Sequence, residues 1–401
     1  MKETLYINDF ALVNALGSDK ETIKSKLLAG SQSGLSCVEN LLLEGPITVA
    51  DVTESLPDLS DKPKHLQSRN NQLAALALNQ IKAQAQALIE RLGADRVAII
   101  VGTSTSGISE GEQAMQVLQQ QGEFPEHYDY RQQEIYNLAE FISEELATTG
   151  ICLTISTACS SSAKAFKTAS EIIDAGMADA AIVGGVDTLC GMTVNGFYAL
   201  NSTASGTCQP SSANRDGINI GEAAALAILT KDEASSSHSV RLLGVGESSD
   251  AHHMSAPHPE GEGAIVAMQS ALAEAGIKAS DVDYINLHGT ATPKNDAMEA
   301  AAVAHVFGKE IPCSSSKGLI GHTLGAAGAT EVGLCWLLLC QEGDDEGNYS
   351  YAPQVWDHVI DESMPALKLV AIGDKKTSPI RCCLSNSFAF GGNNVSVLIG
   401  R

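Results

Sequence analysis

Along this chain, short apolar runs end in glycine or small polar turns and give way to helix-length stretches, over and over. "RVAIIVGTSTSG", "GICLTIS", "AAIVGGVDTL", "VRLLGVGESSD" and "VDYINLHGTAT" read as strands. The stretch at 66–91, "YNLAEFISEELATTG", "SAKAFKTASEIIDAGMAD", "EGAIVAMQSALAEAG" and "GAAGATEVGLCWLLLCQ" read as helices. Parallel neighbouring strands need crossovers of a dozen residues or more, and helices supply them. The alternation therefore predicts an α/β fold. "RCCLSNSFAF", "GGNN" and "VSVLIGR" predict a closing pair of strands around a glycine turn.

At 401 residues the chain is longer than a single small core usually supports, so two packed halves are expected. The polar stretch "EASSSHSV" (233–240) is the candidate link, dividing the chain into 1–240 and 241–401. Two echoes suggest an internal duplication. "IIVGTST" (99–105) is matched by "INLHGTAT" (285–292), and "ACSSSAK" (158–164) by "PCSSSK" (312–317). A duplicated α/β unit would bring equivalent strand ends to one pocket.

The formal net charge of −23 disfavours binding to nucleic acid. The ten cysteines contain no C-x-x-C pair and no zinc spacing, and they fit a reducing, cytoplasmic setting. The opening residues lack the pattern of a signal peptide, and "GLCWLLLC" is too short to span a bilayer. The histidines of "DAHHMSAPHPEG" fit no strong metal motif, and the prolines make that stretch a loop.

Cys159 stands where a strand gives way to a helix, in "ISTACSSSAKAF". Helix amides and dipole would favour its thiolate; the competing reading is a small buried cysteine. His288 follows an apolar strand in "NLHGTATP", and His322 lies between glycines in "IGHTLGAAG". Each alone is an ordinary histidine at an element end. Together with Cys159 they make a possible nucleophile plus two hydrogen-bond donors for an enolate oxygen. Lys317 precedes His322 by five residues and Glu331 follows it by nine. Phe388 and Phe390, before Gly391 and Gly392, are either core aromatics or a hinged gate.

In this order, "STACSSSAKAF", "GINIGEAAALAILT", "NLHGTATPKNDAMEA", "SSSKGLIGHTLGAAGATEV" and "SNSFAFGGNNVSVLIGR" resemble the β-ketoacyl-acyl carrier protein synthases. The likeness is to the elongating Cys-His-His class of the thiolase superfamily, over essentially the whole chain. "VNGFYALNS", "INIGEAAAL" and "SFAFGGNN" look most like the ketosynthases of aryl polyene pathways. The resemblance implies a five-layered αβαβα fold of two similar halves, and an acyltransferase that condenses malonyl-carrier with an acyl chain held on Cys159. It implies that His288 and His322 drive decarboxylation, that Lys317 organises the second histidine, and that Glu331 supports the site. Thr290 and Thr292 match contacts to the phosphopantetheine arm. Phe390, with its glycines, matches the gate, and the amides of Cys159 and Phe390 match the oxyanion hole. Asn286, Glu331, Ser385 and Asn386 match positions that hold a sodium or potassium ion in some members; no other cofactor is implied.

The implied partners are an acyl carrier protein and either a second copy or a chain-length-factor-like ketosynthase. Because carriers are acidic, Lys62, Lys64 and Arg69 in "DKPKHLQSR" form a candidate docking patch, against the alternative of three solvated charges. "GGNN" departs from the commoner Gly-Gly-Thr-Asn, and residues 103–131 depart from the housekeeping pattern, so the acyl pocket is expected to differ. Rival readings are a non-catalytic chain-length partner of the same fold and a housekeeping fatty acid synthase component. A starter-type condensing enzyme would carry asparagine in place of His322, and a thiolase would carry a cysteine nearer the final glycines.

Overall fold

A computed structural model describes residues 3–233 and 239–401. Most of the stretch read as a link lies outside the described residues. The first part of the chain runs β1 (Leu5–Val13), α1 (Lys20–Leu28), β2 (Leu35–Leu42), β3 (Gly45–Ala50), α2 (Arg69–Leu92), β4 (Val97–Gly102), α3 (Ile108–Gln121), α4 (Asn137–Leu146), β5 (Cys152–Ile155), α5 (Ser161–Asp174), β6 (Ala180–Asp187), α6 (Gly191–Ala199) and β7 (Ala223–Thr230). The second part runs β8 (Val240–Ser249), α7 (Glu262–Ala275), β9 (Tyr284–Asn286), α8 (Pro293–Phe307), β10 (Pro312–Ser314), α9 (Lys317–Ile320), α10 (Ala327–Leu339), β11 (Tyr349–Ser350), β12 (Lys368–Leu369), β13 (Lys375–Lys376), β14 (Cys382–Phe388) and β15 (Asn393–Gly400).

The strand order exposes the duplication. One half reads β5-β4-β6-β7-β1 and the other β10-β9-β14-β15-β8, with β12 added at the outer edge. The senses agree pair by pair. β4 is parallel to β5 and β6, as β9 is to β10 and β14. β7 is antiparallel to β6 and β1, as β15 is to β14 and β8. A short antiparallel pairing of β1 with β8 joins the two halves. The architecture is thus the thiolase-like layered α/β fold.

The sequence echoes fare differently. "IIVGTST" and "INLHGTAT" lie at the ends of the equivalent strands β4 and β9. "ACSSSAK" and "PCSSSK" are not equivalent. Cys313 lies inside β10, fully buried, whereas Cys159 lies four residues beyond the end of β5. The hairpin β2–β3 was absent from the sequence reading, although Glu44-Gly45 between apolar runs is a turn signal.

α5 and α10 follow the equivalent strands β5 and β10 and pack against each other through small residues. A Cβ on Gly328 would come within 2.6 Å of the Ala163 Cβ, so the close crossing needs glycine. A Cβ on Gly102 would sit 2.5 Å from the Ser162 nitrogen, which lets β4 end directly against α5. α10 is buried along its whole length. Apart from Thr330 and Glu331 it is apolar all round, because it lies between layers instead of on the surface.

Candidate active site

The serines after Cys159 build a turn. Ser161 Oγ accepts the Thr157 N–H (2.8 Å) and donates to the Ala158 carbonyl (2.6 Å), and Ser160 Oγ donates to the Thr157 carbonyl (2.9 Å). This brace holds Ala158 at φ +52°, a left-handed conformation that costs an alanine roughly 1–2 kcal/mol. Cys159 follows the strained residue and is carried to the mouth of α5.

His288 and His322 are clamped by different halves. Glu299 of α8 accepts the His288 and Gly289 N–H groups, both at 2.7 Å. His322 donates its N–H to the Asn219 carbonyl (2.7 Å) and accepts the Gly221 N–H at its own carbonyl (2.9 Å). The segment "GINIGE" of the first half therefore seats a histidine of the second. One atom from each of Cys159, His288 and His322 lies within 4.8 Å of the other two. The imidazoles meet edge to face at 87°, centroids 5.4 Å apart. All three residues line a cavity of about 290 Å³.

Ring tautomers follow from the partners. His322 Nδ1 accepts the Leu324 N–H (3.2 Å), so its proton sits on Nε2, which is buried without a partner. Lys317 Nζ lies 3.5 Å from His288 Nδ1, which likewise leaves the proton to Nε2. Burial holds both histidines well below the usual imidazole value, assisted by the positive charge of Lys317, so both are neutral at pH 7.

Residues 45–235 match the β-ketoacyl synthase N-terminal domain and residues 240–342 the C-terminal domain. Nodulation protein E of Rhizobium meliloti is 32% identical over 393 residues, 94% of each chain. The chain belongs to the β-ketoacyl synthase family. The 3-oxoacyl-[acyl-carrier-protein] synthase 2 of Staphylococcus aureus is 29% identical over 407 residues, covering 97% of this chain and 98% of that one. Among solved structures, the ketosynthase ApeO in complex with its chain length factor ApeC from Xenorhabdus doucetiae is similar at TM-score 0.92 and 44% identity, over 99% and 98% of the two chains. The ishigamide ketosynthase/chain length factor is similar at TM-score 0.87 and 25% identity, over 100% and 99%.

In this β-ketoacyl synthase the helix mouth does not make Cys159 a thiolate. Burial pushes the thiol up to about 11, with Lys317 and the backbone N–H groups of Phe390 and Cys159 pulling the other way. The expectation from the helix dipole fails because the dipole contributes about 1 kcal/mol or less, whereas full burial shifts a group by several pKa units. The amides of Ser160 and Ser161 are also turned to the Thr157 and Ala158 carbonyls. Since the raised value favours the neutral thiol, the thiolate fraction falls tenfold for each pH unit below 11. Iodoacetamide should therefore alkylate Cys159 in the free enzyme at a rate that climbs tenfold per unit to about pH 11. A plateau near the ordinary thiol value of about 8.5 would show the sulfur to be solvated.

Lys317 makes its direct contact with His288, and its charge also reaches His322, the ring it was expected to organise. It opens α9 straight after β10, whose neighbour β9 leads to His288. Its ammonium is ion-paired with Glu331, both side chains 1% exposed. Thr290 and Thr292 line the cavity with hydroxyls 2.8 Å apart. Phe388 packs edge-on to His288 at 6.1 Å, and Phe390 lies 5.5 Å from Phe197. Gly391 and Gly392 both have positive φ, and backbone bonds tie them to Met254 and Asp250. The histidine-rich loop thus neighbours Gly391 and Gly392; among the described residues it gathers no metal-ligand cluster.

The proposed cation positions divide. Asn286 and Ser385 are paired across the parallel β9–β14 ladder. Ser385 Oγ and Glu331 Oε2 are buried without hydrogen bonds, as ligands of a cation would be. The Asn386 side chain is engaged elsewhere, donating to Glu299 (3.2 Å) and accepting from Ser396 (2.8 Å).

The basic stretch makes ion pairs within its own chain, one of them shared, since Glu145 also holds Lys82. Lys62 pairs with Glu145, Lys64 lies 3.8 Å from Glu126, and Arg69 grips the fully buried Glu222 with two nitrogens. None of the three lines the cavity.

Sequence reasoning missed the buried carboxylates that brace the site. Asp187 accepts from the Thr103 and Thr105 hydroxyls and from the Ser104, Thr105 and Ala326 amides, which ties the end of β4 to the start of α10. Glu222 and Glu299 do the same for α2 and α8. An acid closing a wholly apolar strand, as in "AAIVGGVD", was the available signal. No helix among the described residues is long and apolar enough to cross a membrane.

Proposed function

We propose that this β-ketoacyl synthase performs decarboxylative Claisen condensation on carrier-bound substrates, with Cys159 as nucleophile and His288 and His322 as enolate donors. The observation that carries the reading is one sulfur and two neutral imidazoles gathered at the floor of one cavity. In the first stage the Cys159 sulfur attacks an acyl thioester, the carrier leaves as its thiol, and the Cys159 proton ends on that leaving sulfur. In the second, a malonyl thioester loses carbon dioxide and its enolate oxygen is held by the two Nε2–H groups. The enolate carbon attacks the acyl-cysteine, and the tetrahedral oxyanion points at the amides of Cys159 and Phe390. Collapse frees the Cys159 thiolate, which takes a proton from water, and leaves a β-ketoacyl thioester two carbons longer.

Residues 1–240 would supply the nucleophile, and residues 241–401 both histidines and the gate. Thr290 and Thr292 would guide the phosphopantetheine arm, with Phe388, Gly391 and Gly392 shaping the gate around Phe390. Asn286, Ser385 and Glu331 would hold a monovalent cation, a fixed positive charge behind the site; the Asn386 side chain would not. The likeness of "VNGFYALNS", "INIGEAAAL" and "SFAFGGNN" to aryl polyene ketosynthases favours a polyenoyl acyl chain, and the 44% identity to ApeO, solved with its chain length factor, favours a chain-length-factor-like partner over a homodimer. β5 offers the pairing edge: it is the outermost strand of its half, with Leu153 41% exposed.

The test is to incubate the protein, with and without a candidate partner, with malonyl-carrier and a panel of saturated and polyenoyl carriers, and to read acyl-enzymes and products by mass spectrometry. Acylation of Cys159 and a product two carbons longer are expected. A thiol that accepts no acyl group from any carrier, with or without partner, would leave the non-catalytic reading standing.

A further inference from the structure

We infer that Lys294 binds the phosphodiester of the carrier's phosphopantetheine arm at the mouth of the active-site cavity. This rests on the condensing reading above and deepens it. Burial grades outward along one segment of the cavity wall. His288 is 1% exposed and Thr290 6%, Thr292 is half-buried, and Pro293 and Lys294 are exposed. The segment therefore runs from the reacting sulfur towards solvent, and Lys294 stands at its outer end. It is the one lysine or arginine among the described residues lining this cavity.

Among the described residues Lys294 makes no ion pair, although the carboxylate of Asp250 lines the same cavity. Asp250 is already engaged by the Asn394 side chain (2.7 Å) and the His258 N–H (3.0 Å). Lys294 is the second residue of α8, where the helix dipole disfavours a cation. Thr292, the capping residue, gives no side-chain hydrogen bond to the first turn. An anion at this mouth would satisfy both the ammonium and the helix end. In a chain of net charge −23, a lysine without an ion pair at the mouth of the cavity is a local cation that an incoming anion would meet. The malonyl carboxylate must sit at the buried end, against the histidines. The anion that reaches the outer end while the thioester lies on Cys159 is the phosphate through which the arm joins its carrier.

Decarboxylation would be followed with malonyl-carrier, malonyl-phosphopantetheine and malonyl-pantetheine, which lacks the phosphate, for wild type and for Lys294→Glu, Lys294→Ala and Lys294→Arg. Lys294→Glu should raise KM for the two phosphorylated thioesters about tenfold relative to malonyl-pantetheine. Lys294→Ala should fall between, Lys294→Arg should restore the wild-type ratio, and the contrast should shrink as salt is raised. An equal change for all three thioesters, or none for the phosphorylated pair, overturns the proposal and leaves the condensing reading intact. A wild-type protein inert towards all three removes the condensing reading, and the proposal with it.

Discussion

Replacing His288 or His322 with alanine is expected to slow malonyl decarboxylation by about 10²–10³-fold, the usual cost of losing one oxyanion donor. The nucleophile should survive. Cys159 is held by the Ser160–Ser161 turn and not by either ring, so iodoacetamide should still label it in both variants. The two losses are expected to be similar, because each ring offers one Nε2–H in a site from which water is largely excluded. Both rings are held well below the usual imidazole value by burial and by Lys317, and that direction fixes the sign of the pH effect. Protonation, which would convert a neutral donor into a cation, sets in only at acid pH. The wild-type decarboxylation rate should therefore show no histidine-linked loss between pH 8 and about 6.5. Wild-type decarboxylation in either alanine variant would reject the paired-donor mechanism. Loss of alkylation along with decarboxylation would point to collapse of the site instead.

Glu331→Ala is expected to cost about 3–5 kcal/mol of folding stability, because it strands the Lys317 ammonium in a fully buried position. Burial already pushes the Glu331 carboxyl up to about 7 against the pull of Lys317, so desolvation is a large force on this pair. The double change Lys317→Met with Glu331→Leu removes both charges and should recover most of the loss. Decarboxylation should not recover, since the cation beside His288 Nδ1 is gone and nothing selects the ring's tautomer. Urea midpoints for the single and double variants decide the matter. Additive destabilisation would mean the two side chains contribute through packing and not as a pair.

Much of the site was legible because its residues sit in local patterns. Cys159 precedes a run of small hydroxyl residues, and those serines turned out to form the brace itself. His288 and Gly289 close an apolar strand, and the chain needs a positive-φ glycine there. The echo between "IIVGTST" and "INLHGTAT" marked equivalent strands because both ends meet the same geometric demand. The second echo misled because composition matched while register did not: one cysteine is in a strand and the other is past it. The carboxylates Asp187, Glu222 and Glu299 were not legible as site residues. Each accepts donors from segments far apart in the chain, which no local pattern announces.

By itself the sequence determined the α/β alternation, because that depends on period and turn chemistry; it offered Cys159, His288 and His322 as candidates, and their roles as nucleophile and enolate donors came from the resemblance to the condensing enzymes. Only the tertiary structure decided that Lys317 lies against His288, that burial pushes the Cys159 thiol up, and that Lys62 and Arg69 pair with carboxylates of their own chain. Those outcomes depend on which groups burial strips of water and which charges it brings within a few ångströms of each other.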